Sequence, residues 1–245
     1  MFSNILYYKI FNKSKKDLLN EIFNRNEKLH IISGNPEVLS NGLTNELLLK
    51  NFISHNSIII PDGIGVVISA KIAKEPVEEK IPGIEVMDEI LKRCEKEGKS
   101  VYLIGSKQEN LELCIQNLNR KYCELNICGS YNGYFDINNC KDLLKDINRK
   151  KPFAVFVGMG APRQELFISK HMKNLNACVF MGVGGTFDNY AGIVKRAPKW
   201  MLSLNLEWLY RVSKEPYRIK RLGSIPKFLI KVLREDKKRD KPSSI

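Results

Sequence analysis

Asp62 follows the apolar run Ile58–Ile60 after Pro61 and precedes Gly63-x-Gly65. A carboxylate at such a strand end can take a proton from a hydroxyl nucleophile, or it can simply cap the helix that follows. Spacing alone leaves both readings open. Gly182, Gly184 and Gly185 close the apolar run Cys178–Phe180, and their backbone N–H groups can come close to a phosphate. The plain alternative is a tight turn after a strand. Gly158-x-Gly160 and Gly182-x-Gly184 both lack the third glycine of a dinucleotide fingerprint, and neither is followed by the Lys-Ser/Thr of a P-loop. No Asp-x-Asp occurs to bridge a divalent ion to a diphosphate, so arginines are the natural counter-charges. Arg211, Arg218 and Arg221 are available for that task. The six cysteines form no C-x-x-C and the three histidines lie far from ligand spacing, so neither a metal site nor a cofactor is expected.

These residues need a frame. Six apolar runs read as strands: Leu29–Ser33, Ser57–Ile60, Ser100–Gly105, Glu124–Cys128, Phe153–Gly158 and Ala177–Val183. Between them Pro36–Phe52, Gly63–Ala73, Ile84–Glu97, Gln108–Lys121, Ile137–Arg149 and Pro162–Lys173 have helical character. Alternation of this kind predicts an α/β, Rossmann-like fold, a mostly parallel sheet with helices on both faces. Ligands of such sheets bind beyond the carboxyl ends of the strands, which gathers the loops after Ser33, Pro61, Gly105, Gly158 and Gly182 on one edge. The reading divides the chain into an α/β catalytic domain, 1–196, and a basic helical appendage, 197–245, that closes the active site and associates with a membrane.

The formal charge is +13, and residues 211–241 carry twelve Lys and Arg against four acids. A basic end suits an anionic membrane surface or a nucleic acid. Ile225, Phe228, Leu229, Val232 and Leu233 form an apolar stripe among Lys227, Lys231 and Arg234. Such a helix docks on its own domain or lies on an anionic bilayer. Nucleic acid is disfavoured because the aromatics are not interleaved with the basic residues as a stacking platform needs. No signal peptide and no run of about 18 uncharged apolar residues is seen, so membrane contact is expected to be peripheral, and the thiols to be free in a reducing cytoplasm. Association into a homo-oligomer is left open.

Taken in order, several pieces resemble one family. They are Asn35–Pro36–Glu37, Pro61–Asp62–Gly63-x-Gly65, Gly158-x-Gly160-x-Pro162–Arg163–Gln164–Glu165 and Gly182-x-Gly184–Gly185–Thr186–Phe187–Asp188. Arg196–Ala197–Pro198-x-Trp200, Glu207–Trp208-x-x-Arg211 and Glu215–Pro216-x-Arg218 continue the series. Together they resemble the bacterial WecG/TagA/CpsF glycosyltransferases of surface polysaccharide and teichoic-acid synthesis. The resemblance implies a metal-independent, inverting transfer of an N-acetylmannosamine-type sugar. The donor would be a UDP-sugar and the acceptor a GlcNAc-diphosphate-polyprenol, at the cytoplasmic face of the membrane. It implies Asp62 as the base, Ser33 and Asn35 as polar groups near the reacting sugar, and Gln164 and Glu165 as donor contacts. Gly182, Gly184 and Gly185 would shape the donor side, and Arg211, Arg218 and Arg221 would close over the diphosphate. Ser33 stands where Thr is expected and Arg163 where Lys is commoner. A nicotinamide-dependent oxidoreductase and a basic RNA-binding protein are the rival classes.

Overall fold

A computed structural model describes residues 2–203, 206–214 and 223–239. The first half of the chain runs β1 (Phe2–Ile5), β2 (Tyr8–Phe11), α1 (Lys15–Asn24), β3 (Leu29–Gly34), α2 (Pro36–Thr44), α3 (Glu46–Phe52), β4 (Ser57–Pro61), α4 (Ile64–Ile72) and α5 (Gly83–Lys96). Next come β5 (Val101–Gly105), α6 (Gln108–Lys121), β6 (Ile127–Tyr131), α7 (Lys141–Lys150), β7 (Ala154–Gly158), α8 (Arg163–His171) and β8 (Val179–Gly182). Four helices follow: α9 (Thr186–Tyr190), α10 (Lys199–Ser203), α11 (Glu207–Lys214) and α12 (Ser224–Arg239).

The strands form one eight-stranded sheet in the order β1-β2-β4-β3-β8-β7-β5-β6. Only the β1–β2 hairpin is antiparallel; every other pairing is parallel. Side chains alternate across it, as a period of two requires. Ile31, Ile58, Leu103, Phe156 and Met181 point into a core beneath α1, α5 and α6. On the other face Ile32 and Ile59 join the core under α2 and α4, and Ile104, Val155 and Phe180 that under α7 and α8. The expected two-faced α/β sheet is therefore what forms.

Several boundaries differ from the expected ones. The β1–β2 hairpin escapes the sequence pattern because its strands are four residues each and alternate buried with exposed positions. The helix expected over Pro36–Phe52 is two helices. Asn45 leaves helical geometry and caps the second, its side chain accepting from the Leu48 N–H at 3.1 Å. The strand expected at Glu124–Cys128 lies at Ile127–Tyr131, and α9 occupies what the sequence suggests is a loop.

Helix α12 settles how its own stripe is used. Phe228 and Val232 are buried in the core shared by α2 and α4, each such burial contributing on the order of 1.5–3 kcal/mol. Of the stripe only Leu233 stays well exposed. Of the two readings of the stripe, docking on the protein's own domain is the one Phe228 and Val232 adopt. Among the described residues no helix is long and apolar enough to cross a membrane.

Candidate active site

In sheet order the adjacent strands β3, β8, β7 and β5 all end on glycine, at Gly34, Gly182, Gly158 and Gly105. The absence of side chains there lets the following loops cross low over the carboxyl edge, and two cavities open above it.

The first cavity, about 200 Å³, is lined by Ser33, Asp62, Lys80, Gly83, Val183, Thr186, Glu207 and Trp208, among others. Asp62 reaches it from the end of β4. Its carboxylate does not cap α4, whose N-cap is Gly63 with no side-chain bond; instead Oδ1 accepts from the Gly83 N–H at 3.0 Å. The capping alternative is therefore not the one adopted, and the carboxylate is turned across the cavity toward α5. Gly83 leaves no room for a side chain: a Cβ there would lie 2.5 Å from the Ser33 hydroxyl and 3.4 Å from Asp62 Oδ2. Ser33 and Asp62 consequently both stand against Gly83 on the wall of this cavity.

Asn35 has a different task. Its Oδ1 accepts from the N–H groups of Glu37 and Val38, both at 3.1 Å, and its Nδ2 donates to the Ser33 carbonyl at 3.2 Å. It starts α2, with Pro36 at the first helical position where its missing N–H costs nothing. Asn35 thereby holds the backbone that carries Ser33, and it is not among the residues lining the cavity.

The second cavity, about 330 Å³, is walled by the turns Gly158–Gly160 and Gly184–Gly185, with Ser106, Asn110, Tyr134, Arg163 and Asp188. Asp188 Oδ1 accepts from Ser106 Oγ at 2.8 Å and from Asn110 Nδ2 at 3.0 Å. Two donors on one oxygen fix the carboxylate and leave Oδ2 for a ligand donor such as a hydroxyl. The sequence reading missed Ser106, Asn110 and Asp188 as site residues. The available signal was position, since Ser106 directly follows a strand and Asp188 lies three residues past the glycine turn. The turn after β8 divides the two cavities: Val183 and Thr186 face the first, Gly184 and Gly185 the second.

Gln164 and Glu165, expected to touch the donor, lie beneath the glycine turns and are 4% and 2% exposed. Neither lines either cavity. Burial pushes the Glu165 carboxyl up to about 7, against a smaller lowering from the Gln164 hydrogen bond. Gly184, expected to turn its amide toward a phosphate, donates that N–H to Gln164 at 3.0 Å.

A third groove, about 610 Å³, borders the first cavity across Ile84. Arg196 reaches Glu85 there at 2.7 Å, and Lys15 meets the same carboxylate at 3.0 Å. Burial alone would raise Glu85, but these two cations hold it below the usual carboxylate range. Arg196 thereby ties the segment leading to α10 and α11 onto α5. Of Arg211 the structure describes the backbone, on α11; Arg218 and Arg221 lie outside the described residues. Among the described residues no cluster of three His, Cys, Asp or Glu side chains is gathered, and the six cysteines are unpaired.

Comparison with known proteins gives a consistent result. The profile of the glycosyl transferase WecG/TagA/CpsF family matches residues 3–242. An N-acetylglucosaminyldiphosphoundecaprenol N-acetyl-beta-D-mannosaminyltransferase of Bacillus subtilis (strain 168) is 37% identical over 187 residues, 76% of this chain and 72% of that protein. A protein of the same description from Staphylococcus aureus (strain MW2) is 38% identical over 210 residues, 86% of this chain and 82% of its own.

Proposed function

The chain belongs to the glycosyl transferase WecG/TagA/CpsF family, and from that premise we propose that it moves N-acetylmannosamine from a UDP-sugar to a GlcNAc-diphosphate-polyprenol acceptor. The reaction would serve teichoic-acid or surface-polysaccharide synthesis. The names of the relatives support the sugar and the lipid-linked acceptor. The observation that carries the reading is that Asp62 and Ser33 line, beside Gly83, one cavity separated from a glycine-walled neighbour by a single turn.

In this reading the uridine diphosphate occupies the glycine-walled cavity, with Asp188 Oδ2 accepting from a ribose hydroxyl. The donor sugar reaches over the Val183–Thr186 turn toward Asp62. Asp62 takes the proton of the acceptor 4-hydroxyl while that oxygen attacks the anomeric carbon. The new C–O bond forms on the face opposite the breaking bond to UDP, so configuration inverts. UDP leaves with the electron pair, and Arg211, Arg218 and Arg221 are assigned to its negative charge. Ser33 and Asn35 serve as the polar groups near the sugar, Asn35 through the backbone it holds.

Residues 197–245 act in this proposal as an appendage that closes the site and meets the inner face of the cytoplasmic membrane. Glu207 and Trp208 of α11 already line the Asp62 cavity, and Trp200, Trp208 and Leu209 are exposed in a segment rich in basic residues. Amphipathic tryptophans beside basic residues suit an anionic bilayer surface. The test is transfer from UDP-N-acetylmannosamine to a GlcNAc-diphosphate-lipid analogue, followed by product mass. A mass gain of one N-acetylhexosaminyl unit is expected. No product with this pair, but product with another UDP-sugar, would reassign the donor.

A further inference from the structure

We propose that Glu165 is a positioning residue which, through Gln164, fixes the separation of the two glycine turns and so sets the affinity of the cavity they wall. The inference rests on the reading of that cavity as the UDP site.

Gln164 Oε1 accepts from the Gly160 N–H at 3.1 Å and from the Gly184 N–H at 3.0 Å. One side-chain oxygen thus bridges the turn after β7 and the turn after β8, both of which line the cavity. Both glycines have positive φ, +77° and +52°, a conformation that L side chains rarely adopt. On the other side of the amide, Nε2 donates to Glu165 Oε1 at 2.7 Å.

The two ends of the amide define each other. Two backbone N–H groups can converge only on an oxygen, and a carboxyl oxygen can accept only from the nitrogen. Without Glu165 the buried NH₂ has no acceptor, and the amide gains by rotating away from the turns. The pair packs directly against Gly182, where a Cβ would lie 2.6 Å from Gln164 Nε2 and 3.0 Å from Glu165 Oε1. A residue serving only to fill the core would not need its carboxyl, and Glu165 Oε2 is buried with no hydrogen-bond partner. The fold therefore keeps a poorly satisfied acid in place of an apolar residue of similar size, and the contact to Gln164 is what that acid provides.

The experiment compares Glu165→Met with Glu165→Gln in the full chain. Met fills the same volume without an acceptor; Gln restores one. Amide hydrogen exchange at Gly160 and Gly184 should quicken about tenfold in Glu165→Met, and the dissociation constant for UDP should rise by a similar factor. The KM for the UDP-sugar should rise while that for the acceptor stays unchanged, and Glu165→Gln should return every value to within about threefold of the unaltered protein. Thermal melting checks that Glu165→Met folds. Wild-type exchange at both glycines in Glu165→Met would overturn the clamp. Faster exchange with unchanged UDP affinity would overturn its link to binding. Failure of the unaltered chain to bind UDP is a separate outcome: it removes the nucleotide reading, while the exchange measurement still decides the clamp.

Discussion

The Asp62 cavity and the glycine-walled cavity share one turn and are built in opposite ways. In the first, the lining includes several side chains able to do chemistry: Ser33, Asp62, Lys80, Glu207 and Trp208. Their support comes from backbone, such as the Gly83 N–H on Asp62. In the second, five glycines contribute backbone to the walls, and several polar side chains at or beneath them are engaged with the protein. Gln164 holds two amides, and Asp188 is held by Ser106 and Asn110. The same residue class plays both parts. Asp62 is a carboxylate at a cavity, whereas Glu165 is 2% exposed and its carboxyl is raised by burial. Residue type therefore predicts candidates for chemistry, and exposure together with hydrogen-bond commitment separates the reacting group from the one that shapes its surroundings.

That division is broken most directly at Asp62. Asp62→Asn keeps an acceptor for the Gly83 N–H, so the fold should be unchanged, but the base is gone. Turnover should fall about 10²–10⁴-fold, measured as initial rate of transfer with melting temperature as the control. Turnover near that of the unaltered protein would place the base elsewhere.

Glu165 should answer to pH through stability, not through the chemical step. Its folded carboxyl titrates at about 7 against an ordinary 4.5, so the folded state binds the proton more tightly than the unfolded one. Stability is then lost as pH rises from about 4.5 through 7 and levels off above. The gap of pKa amounts to roughly 3 kcal/mol. Glu165→Gln removes this dependence, so its melting temperature relative to the unaltered protein should climb across that interval and stay constant above it. A difference that does not vary with pH would mean the buried carboxyl is not the source.

Gly182→Ala sharpens the comparison from the backbone side. The added Cβ meets Gln164 Nε2 at 2.6 Å, and overpacking of this kind costs about 1–3 kcal/mol. Chemical denaturation should show that loss together with weaker UDP binding. Stability and affinity both unchanged would show that the turns tolerate a shifted clamp.

The sheet was legible because its central strands are short apolar runs, buried on both faces and punctuated by glycine, and Asp62 was legible because it directly follows one of them. What the sequence hid depends on contacts distant along the chain. Asp62 accepts from a residue 21 positions on, and Ser106 meets Asp188 across 82 positions; neither pairing leaves a local pattern. Gln164 and Glu165 stood out for their place in a motif, but a motif does not say whether a side chain faces a ligand or the core behind it. The stripe of α12 had the periodicity of a membrane-surface helix, and periodicity cannot distinguish a bilayer from the α2–α4 surface that Phe228 and Val232 cover.

The smallest expected effect tests the nucleotide side alone. Asp188→Asn keeps one oxygen to receive Ser106 and Asn110, while the other position becomes an NH₂ that cannot accept from a ribose hydroxyl. Affinity for UDP should fall about tenfold, as for one hydrogen bond lost to a charged acceptor, with little change in the rate at saturating donor. Binding is measured by calorimetry with UDP and with uracil, and only UDP, which carries the ribose, should respond to the substitution. A matching loss for uracil would move the contact from the sugar to the base. A loss confined to kcat would instead join Asp188 to Asp62 and erase the division between the two cavities.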